Sequence, residues 1–187
     1  MDLTPTPSQT VGPYLHLGLT DARSISCIAR DGAKGERVRL TFRVVDGDGV
    51  PVPDAMIELW QADSEGNYAS QDGSADGTGF RGFGRLATAE DSSCTFETIR
   101  PGCVPGPGKT VQAPHINVSV LGRGILKRLA TRVYFAGDTA NASDPVLTSV
   151  PENRRATLLA QPDPARPNNW VFDVHLRGGR ETVFFDV

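Results

Sequence analysis

The chain has 187 residues, of which 39% are hydrophobic and 22% charged, enough for one domain with a real hydrophobic core. Its net charge of −3 and its scattered Lys and Arg residues speak against nucleic acid or an anionic membrane as a partner; the one dense basic stretch runs from Arg123 to Arg132. Three cysteines, Cys27, Cys94 and Cys103, make neither a disulfide framework nor a C-x-x-C metal clip, and read as free thiols of a reducing cytoplasm.

In chain order, Met1 to Val11 is polar and proline-rich, with no basic and apolar pair of regions as in a secretory signal. No apolar run approaches the roughly 18 residues of a membrane helix. The first thirty residues read as an extended N-terminal arm, because Pro5, Pro7 and Pro13 disfavour helix. Residues 37–45 (RVRLTFRVV) then alternate, with Val38, Leu40, Phe42 and Val44 on one side, the period of a half-buried strand. Asp46-Gly47-Asp48-Gly49 follows as a hairpin turn signal. A second strand is expected over Ala55–Ala62, closed by Asp63 to Asn67, and residues 69–82 read as a long surface loop. Further strands are expected at Phe83–Thr88, Thr95–Ile99, His115–Leu121, Leu129–Phe135, Trp170–Leu176 and Thr182–Phe185. One short helix is expected over Asn153–Ala160, opened by Pro151 and Glu152. The 20 glycines and 14 prolines punctuate rather than cluster. The sum is a single all-β domain over residues 1–187: a two-sheet β-sandwich with long loops, an arm over residues 1–30 and at most one or two short helices.

Few residues carry chemistry by themselves. The chain has three histidines and three tyrosines, and it lacks H-E-x-x-H, an EF-hand loop, a P-loop and G-x-S-x-G. In Ala113-Pro114-His115-Ile116-Asn117-Val118 the strand period points His115 and Asn117 the same way. Two histidines at that spacing chelate a metal, but the neutral amide of Asn117 is a poor transition-metal ligand. The pair reads equally as half-buried polar groups bonded to neighbours, and Tyr68, just after the Asp63–Asn67 turn, reads equally as a packed ring with a locally satisfied hydroxyl.

The order of the stretches says more than any one of them. Ile57-Glu58-Leu59-Trp60-Gln61-Ala62-Asp63, Gly66-Asn67-Tyr68, Phe83-Gly84-Arg85, Thr98-Ile99-Arg100-Pro101-Gly102, Ala113-Pro114-His115-Ile116-Asn117 and Leu129-Ala130-Thr131-Arg132-Val133-Tyr134-Phe135, taken together, resemble the intradiol ring-cleavage dioxygenases from Thr4 to Val187. Thr6 to Tyr14 and Glu181 to Asp186 fit as well. The resemblance implies an oxidoreductase that opens catechol-type rings with O2 in aromatic catabolism.

That family holds a non-haem Fe(III) with two tyrosines and two histidines, phenolates suiting the ferric ion. Tyr68 matches one tyrosine and His115 one histidine. Val104 stands where the second tyrosine belongs, Asn117 where the second histidine belongs, and Gln112 where an arginine is expected. The resemblance therefore implies a degenerate remnant with no functional metal and no catalytic residue in this chain alone. This pattern of loss resembles the alpha chains of two-chain members, in which a homologous beta subunit holds the Fe(III) within a higher-order hetero-oligomer. By the same resemblance, Thr10, Gly12, Pro13, Tyr14 and Arg132 line the substrate cleft, with Arg132 facing a carboxylate of the small aromatic substrate. Read without the family, Arg132 pairs as well with a surface Asp or Glu. Two other readings remain: a self-sufficient intradiol enzyme with an atypical iron site, in which Cys103 replaces a ligand, and a non-catalytic β-sandwich binding module.

Overall fold

The computed structural model describes residues 5–20, 23–69 and 79–187. The described residues form ten strands, eight of which make two layers. The ten are β1 (Arg37–Val45), β2 (Ala55–Gln61), β3 (Phe83–Ala87), β4 (Ser93–Ile99), β5 (Val104–Pro105), β6 (Val111–Gln112), β7 (His115–Gly122), β8 (Leu129–Phe135), β9 (Leu159–Pro162) and β10 (Asn169–His175). The first layer has the order β3-β2-β7-β8, and the second β10-β1-β4. β9 belongs to both, since Leu159 and Ala160 pair with β8 while Gln161 and Pro162 pair with β10. β5 and β6 make a separate small hairpin.

Strand alternation builds the core. Leu40, Phe42 and Val44 from β1, Phe96 from β4 and Phe172 and Val174 from β10 face Ile57 and Leu59 from β2, Ile116, Val118 and Val120 from β7, and Val133 and Phe135 from β8. Phe42 meets Phe96 and Phe172 edge to face at centroid distances of 5.7 and 5.8 Å, the geometry that ring quadrupoles favour. Cys94 lies in this core, and burial pushes its thiol up to about 12. All three cysteines are unpaired. No helix among the described residues is long and apolar enough to cross a membrane.

Four expectations need correction. The Asp46–Gly49 turn forms, with Asp46 Oδ1 accepting from the Asp48 and Val50 amides at 2.9 Å. It does not close a hairpin, however: β1 pairs with β4 and β10, and β2 with β3 and β7. The arm is not extended throughout. Leu15–Thr20 winds into a short π-type helix, with Leu15 buried, and Ile25 and Cys27 bridge to Arg85 of β3 and Glu97 of β4, tying the arm to the open edges of both layers. The expected helix at 153–160 is shorter: Glu152–Arg155 (α2) gives way to a single tight turn at Ala156–Leu158, and Leu159 begins β9. Of Thr182–Phe185, only Phe185 pairs as a strand residue, with Ala130. In the expected loop at 69–82, residues 70–78 lie outside the described residues.

A helix absent from the sequence reading, Pro145–Ser149 (α1), caps the end of the first layer where β7 begins. Its N-cap residue, Asp144, is fully buried. Asp144 Oδ1 accepts from the Val146 and Leu147 amides at 2.9 and 2.7 Å and from the Tyr134 hydroxyl at 3.0 Å, and Oδ2 accepts from the Ala113 amide at 2.8 Å. One carboxylate thus joins α1, β8 and the lead-in to β7. Asp144→Ala is expected to destabilise the protein by about 3–5 kcal/mol in chemical denaturation, from a lost cap plus two stranded buried donors. A loss below about 1 kcal/mol would show that water replaces the carboxylate.

Candidate functional site

The outer face of the first layer carries the residues set apart by the sequence. With Ile116, Val118 and Val120 turned into the core, His115, Asn117 and Ser119 face outward. The registers place His115 opposite Tyr134, Asn117 opposite Arg132 and Ser119 opposite Ala130 on β8, and Trp60 and Glu58 of β2 opposite Asn117 and Ser119. Phe83 of β3 then pairs with Trp60. A single row, Phe83–Trp60–Asn117–Arg132, crosses four strands. Above it lies a cleft of about 690 Å³, walled by these residues together with Ser119, Arg128, Val146 and Phe185.

Tyr68, Val104, His115 and Asn117 occupy the four positions that the family resemblance matches to iron ligands. Tyr68 is 41% exposed and its ring stacks on Trp60 with centroids 6.0 Å apart. Its hydroxyl accepts from Asn117 Nδ2 at 3.3 Å. The turn before it is held against the Gly102–Val104 stretch: Gly102 N donates to Asp63 O at 2.8 Å. Gly66, at φ +87°, lies so close to the Cys103 carbonyl that any Cβ would collide with it, so glycine is required there. Val104 is buried and pairs with Gln112 across the β5–β6 hairpin. His115 is 2% exposed, with Nδ1 2.8 Å from the Ala113 carbonyl.

These residues do not fit a ferric ion. Val104 offers no donor atom, the Asn117 amide already engages Tyr68, and a lone phenol and a lone imidazole fall short of the four-ligand set. Cys103 is exposed, and no group of three or more His, Cys, Asp or Glu residues suited to a metal occurs among the described residues. Burial, chiefly, lowers the His115 pKa from 6.5, with Arg132 adding to it against the Ala113 carbonyl and Asp144. Burial likewise pushes the Tyr134 phenol above its usual range, with Asp144 adding to the rise and Arg132 opposing it. Both are thereby kept as neutral packing and hydrogen-bonding groups.

The five expected cleft-lining residues fall in two places. Thr10 Oγ1 accepts from Gly124 N at 2.7 Å, which pins the arm to the turn after β7. Gly12 and Pro13 line a smaller hollow of about 340 Å³ with Val11, Leu15, His16, Asp54 and Arg123. Tyr14 is 79% exposed beside it. Arg132 is not there: it stands in the larger cleft, its Nη1 donating to Gln112 Oε1 at 2.6 Å. Beside Gly12 and Pro13 stands Arg123, whose side chain is 82% exposed and reaches Asp54 at 2.8 Å. The sequence offered only the basic stretch from Arg123 to Arg132 as a sign of it. Which of its cations meets the arm depends on where the β7–β8 turn falls.

Comparison with known proteins follows this geometry. A family model described as dioxygenase matches residues 11–178. The protocatechuate 3,4-dioxygenase alpha chain of Burkholderia cepacia is 46% identical over 99% of this chain and 98% of that protein. The beta chain of the same enzyme from Burkholderia cepacia is 34% identical over 77% of this chain and 66% of that protein. Among solved structures, the dioxygenase domain of a dioxygenase–carbohydrate-binding protein fusion from Streptomyces sp. SirexAA-E superposes with a TM-score of 0.64 at 28% identity, covering 94% of this chain and 100% of that chain.

The buried neutral His115 has a consequence for stability. An unfolded chain protonates this histidine below the ordinary value of 6.5, while the folded chain resists doing so. Its contribution is therefore full above that value and is lost as the pH falls through the lower folded pKa. Between about pH 7.5 and about pH 5.5, wild type is expected to lose more denaturation free energy than His115→Gln. Equal losses would assign the acid sensitivity to other groups.

Proposed function

The chain belongs to the intradiol dioxygenase family, and we propose that it serves there as the alpha chain of a protocatechuate 3,4-dioxygenase. With an iron-bearing beta chain it cleaves protocatechuate, using O2, between the two hydroxylated carbons to give 3-carboxy-cis,cis-muconate, in the cytoplasmic β-ketoadipate route of aromatic catabolism. The observation that carries this reading is end-to-end similarity to an alpha chain combined with ligand positions filled by Val104 and Asn117. The Fe(III) belongs to the beta chain, in a hetero-oligomer of alpha–beta pairs, and this chain contributes surface and positioning.

In this reading the working surface is the arm. Thr10, Gly12, Pro13 and Tyr14 line the partner's substrate cleft, and Arg123 beside them orients the substrate carboxylate, a task suited to a guanidinium with paired N–H donors. Holding a substrate in one orientation is itself a contribution to rate. Exposed apolar side chains support a covering partner here: Tyr14 and Leu17 on the arm and Leu126 on the turn after β7. Arg132 lies instead in this chain's own cleft.

Iron content and ring cleavage are the first test. The chain purified alone is expected to be colourless and inactive, and to yield a coloured, active complex when co-expressed with a beta chain that has both tyrosines and both histidines. Stoichiometric iron with activity in the isolated chain would overturn the assignment. Within the complex, Arg123→Ala should raise KM for protocatechuate about tenfold or more, and far less for unsubstituted catechol. Equal effects on the two substrates would remove Arg123 from carboxylate recognition.

A further inference from the structure

The cleft over the first layer has no task in the function proposed above, yet it is built like a ligand site. At about 690 Å³ it falls in the range of small-molecule pockets. Its walls are flat and apolar: Trp60, backed by the stacked Tyr68 ring, with Phe83, Val146 and Phe185. Its polar groups converge from neighbouring strands. Asn117 and Ser119 offer an amide and a hydroxyl, and Arg128 and Arg132 supply cations. Arg132 is fixed in place by Gln112 and lies against the Tyr134 hydroxyl, which still leaves guanidinium N–H donors for a ligand. Of the acidic side chains on the cleft, Glu58 is neutralised by Arg85 at 2.5 Å, and Asp186 stands at the exposed rim.

We infer that this cleft is a second, metal-free binding site for a small planar aromatic carboxylate. The ring stacks along Trp60 and Phe83, and the carboxylate pairs with Arg132. Asn117 and Ser119 read ring hydroxyls. The ligand is bound and released unchanged. The residues named all belong to this chain, so uptake by the chain alone tests the site apart from the subunit assignment.

The probes are 4-hydroxybenzoate, which lacks the second hydroxyl needed for ring opening, and phenol, its counterpart without a carboxylate. In calorimetric titration of the iron-bearing complex, about two equivalents of 4-hydroxybenzoate per iron are expected. One perturbs the visible absorption of the iron. The other is silent there, and in the isolated chain it quenches Trp60 in a Trp170→Phe background, these being the 2 tryptophans of the chain. Arg132→Ala should weaken the silent equivalent about tenfold or more, and Arg132→Lys, which keeps the charge, should weaken it less. Phenol should bind there as weakly as 4-hydroxybenzoate binds the Arg132→Ala protein. The isolated full-length chain should take up one equivalent with the same quenching. That separates this site from the subunit assignment, which is tested by iron and activity. A single equivalent per iron, no saturable quenching in the isolated chain, or affinity unchanged in a folded Arg132→Ala protein would each overturn the inference.

Discussion

The outer face of the first layer depends on one buried carboxylate. Asp144 has no exposure to solvent, and a charge so placed is tolerated only when its lone pairs are occupied. Here two amides at the start of α1, the Tyr134 hydroxyl and the Ala113 amide occupy them. The consequences extend in two directions. The Ala113 bond fixes the chain just before β7, and so the outward aim of His115 and Asn117. The cap fixes α1, and so Val146 on the cleft wall. Tyr134, opposite His115 in the ladder, links that carboxylate to the row of outward-facing residues.

That economy suits the role proposed for this chain, in which the iron is held by the partner. A metal site stripped of its ion ordinarily leaves charged or unsatisfied ligands in a poor dielectric. In this chain the corresponding positions are filled by groups that are packed or hydrogen-bonded. Val104 is packed, Asn117 donates to Tyr68, and the Gln112 carbonyl oxygen accepts from Arg132. The fold can then spend its surface on other tasks. The arm, pinned by Thr10 to the turn after β7 and by Ile25 and Cys27 to the outer strands, is a second such surface, and its Ser8 and Gln9 meet Arg128 and Phe185 at the rim of the cleft that Arg132 lines.

Much of this was legible in the residues. The strict alternation in Arg37–Val45 and His115–Gly122 determined two strands and the inward and outward faces of each, because the side-chain period of a strand is set by backbone geometry alone. The order of the motifs carried the family, and through that resemblance Val104 and Asn117 carried the expectation of a degenerate metal site, since ligand chemistry is a property of residue type. What the sequence could not decide was pairing. The Asp46–Gly49 turn has a hairpin's residues, yet it sends the chain from one layer to the other, where β1 pairs with β4 and β10 and β2 with β3 and β7. Leu159 and Ala160, helix-compatible in isolation, become the strand that joins the layers, since Tyr134 and Phe135 offer a ladder edge that only the folded protein presents. Asp144 gave no sign of its role, because its partners Ala113 and Tyr134 are distant in sequence. The division of Arg123 and Arg132 between two sites follows from the same cause. Chemical identity is local and was read residue by residue. Which arginine stands beside the arm and which beside Trp60 is decided by strand register, a long-range quantity that exists only once the two layers have closed on their core.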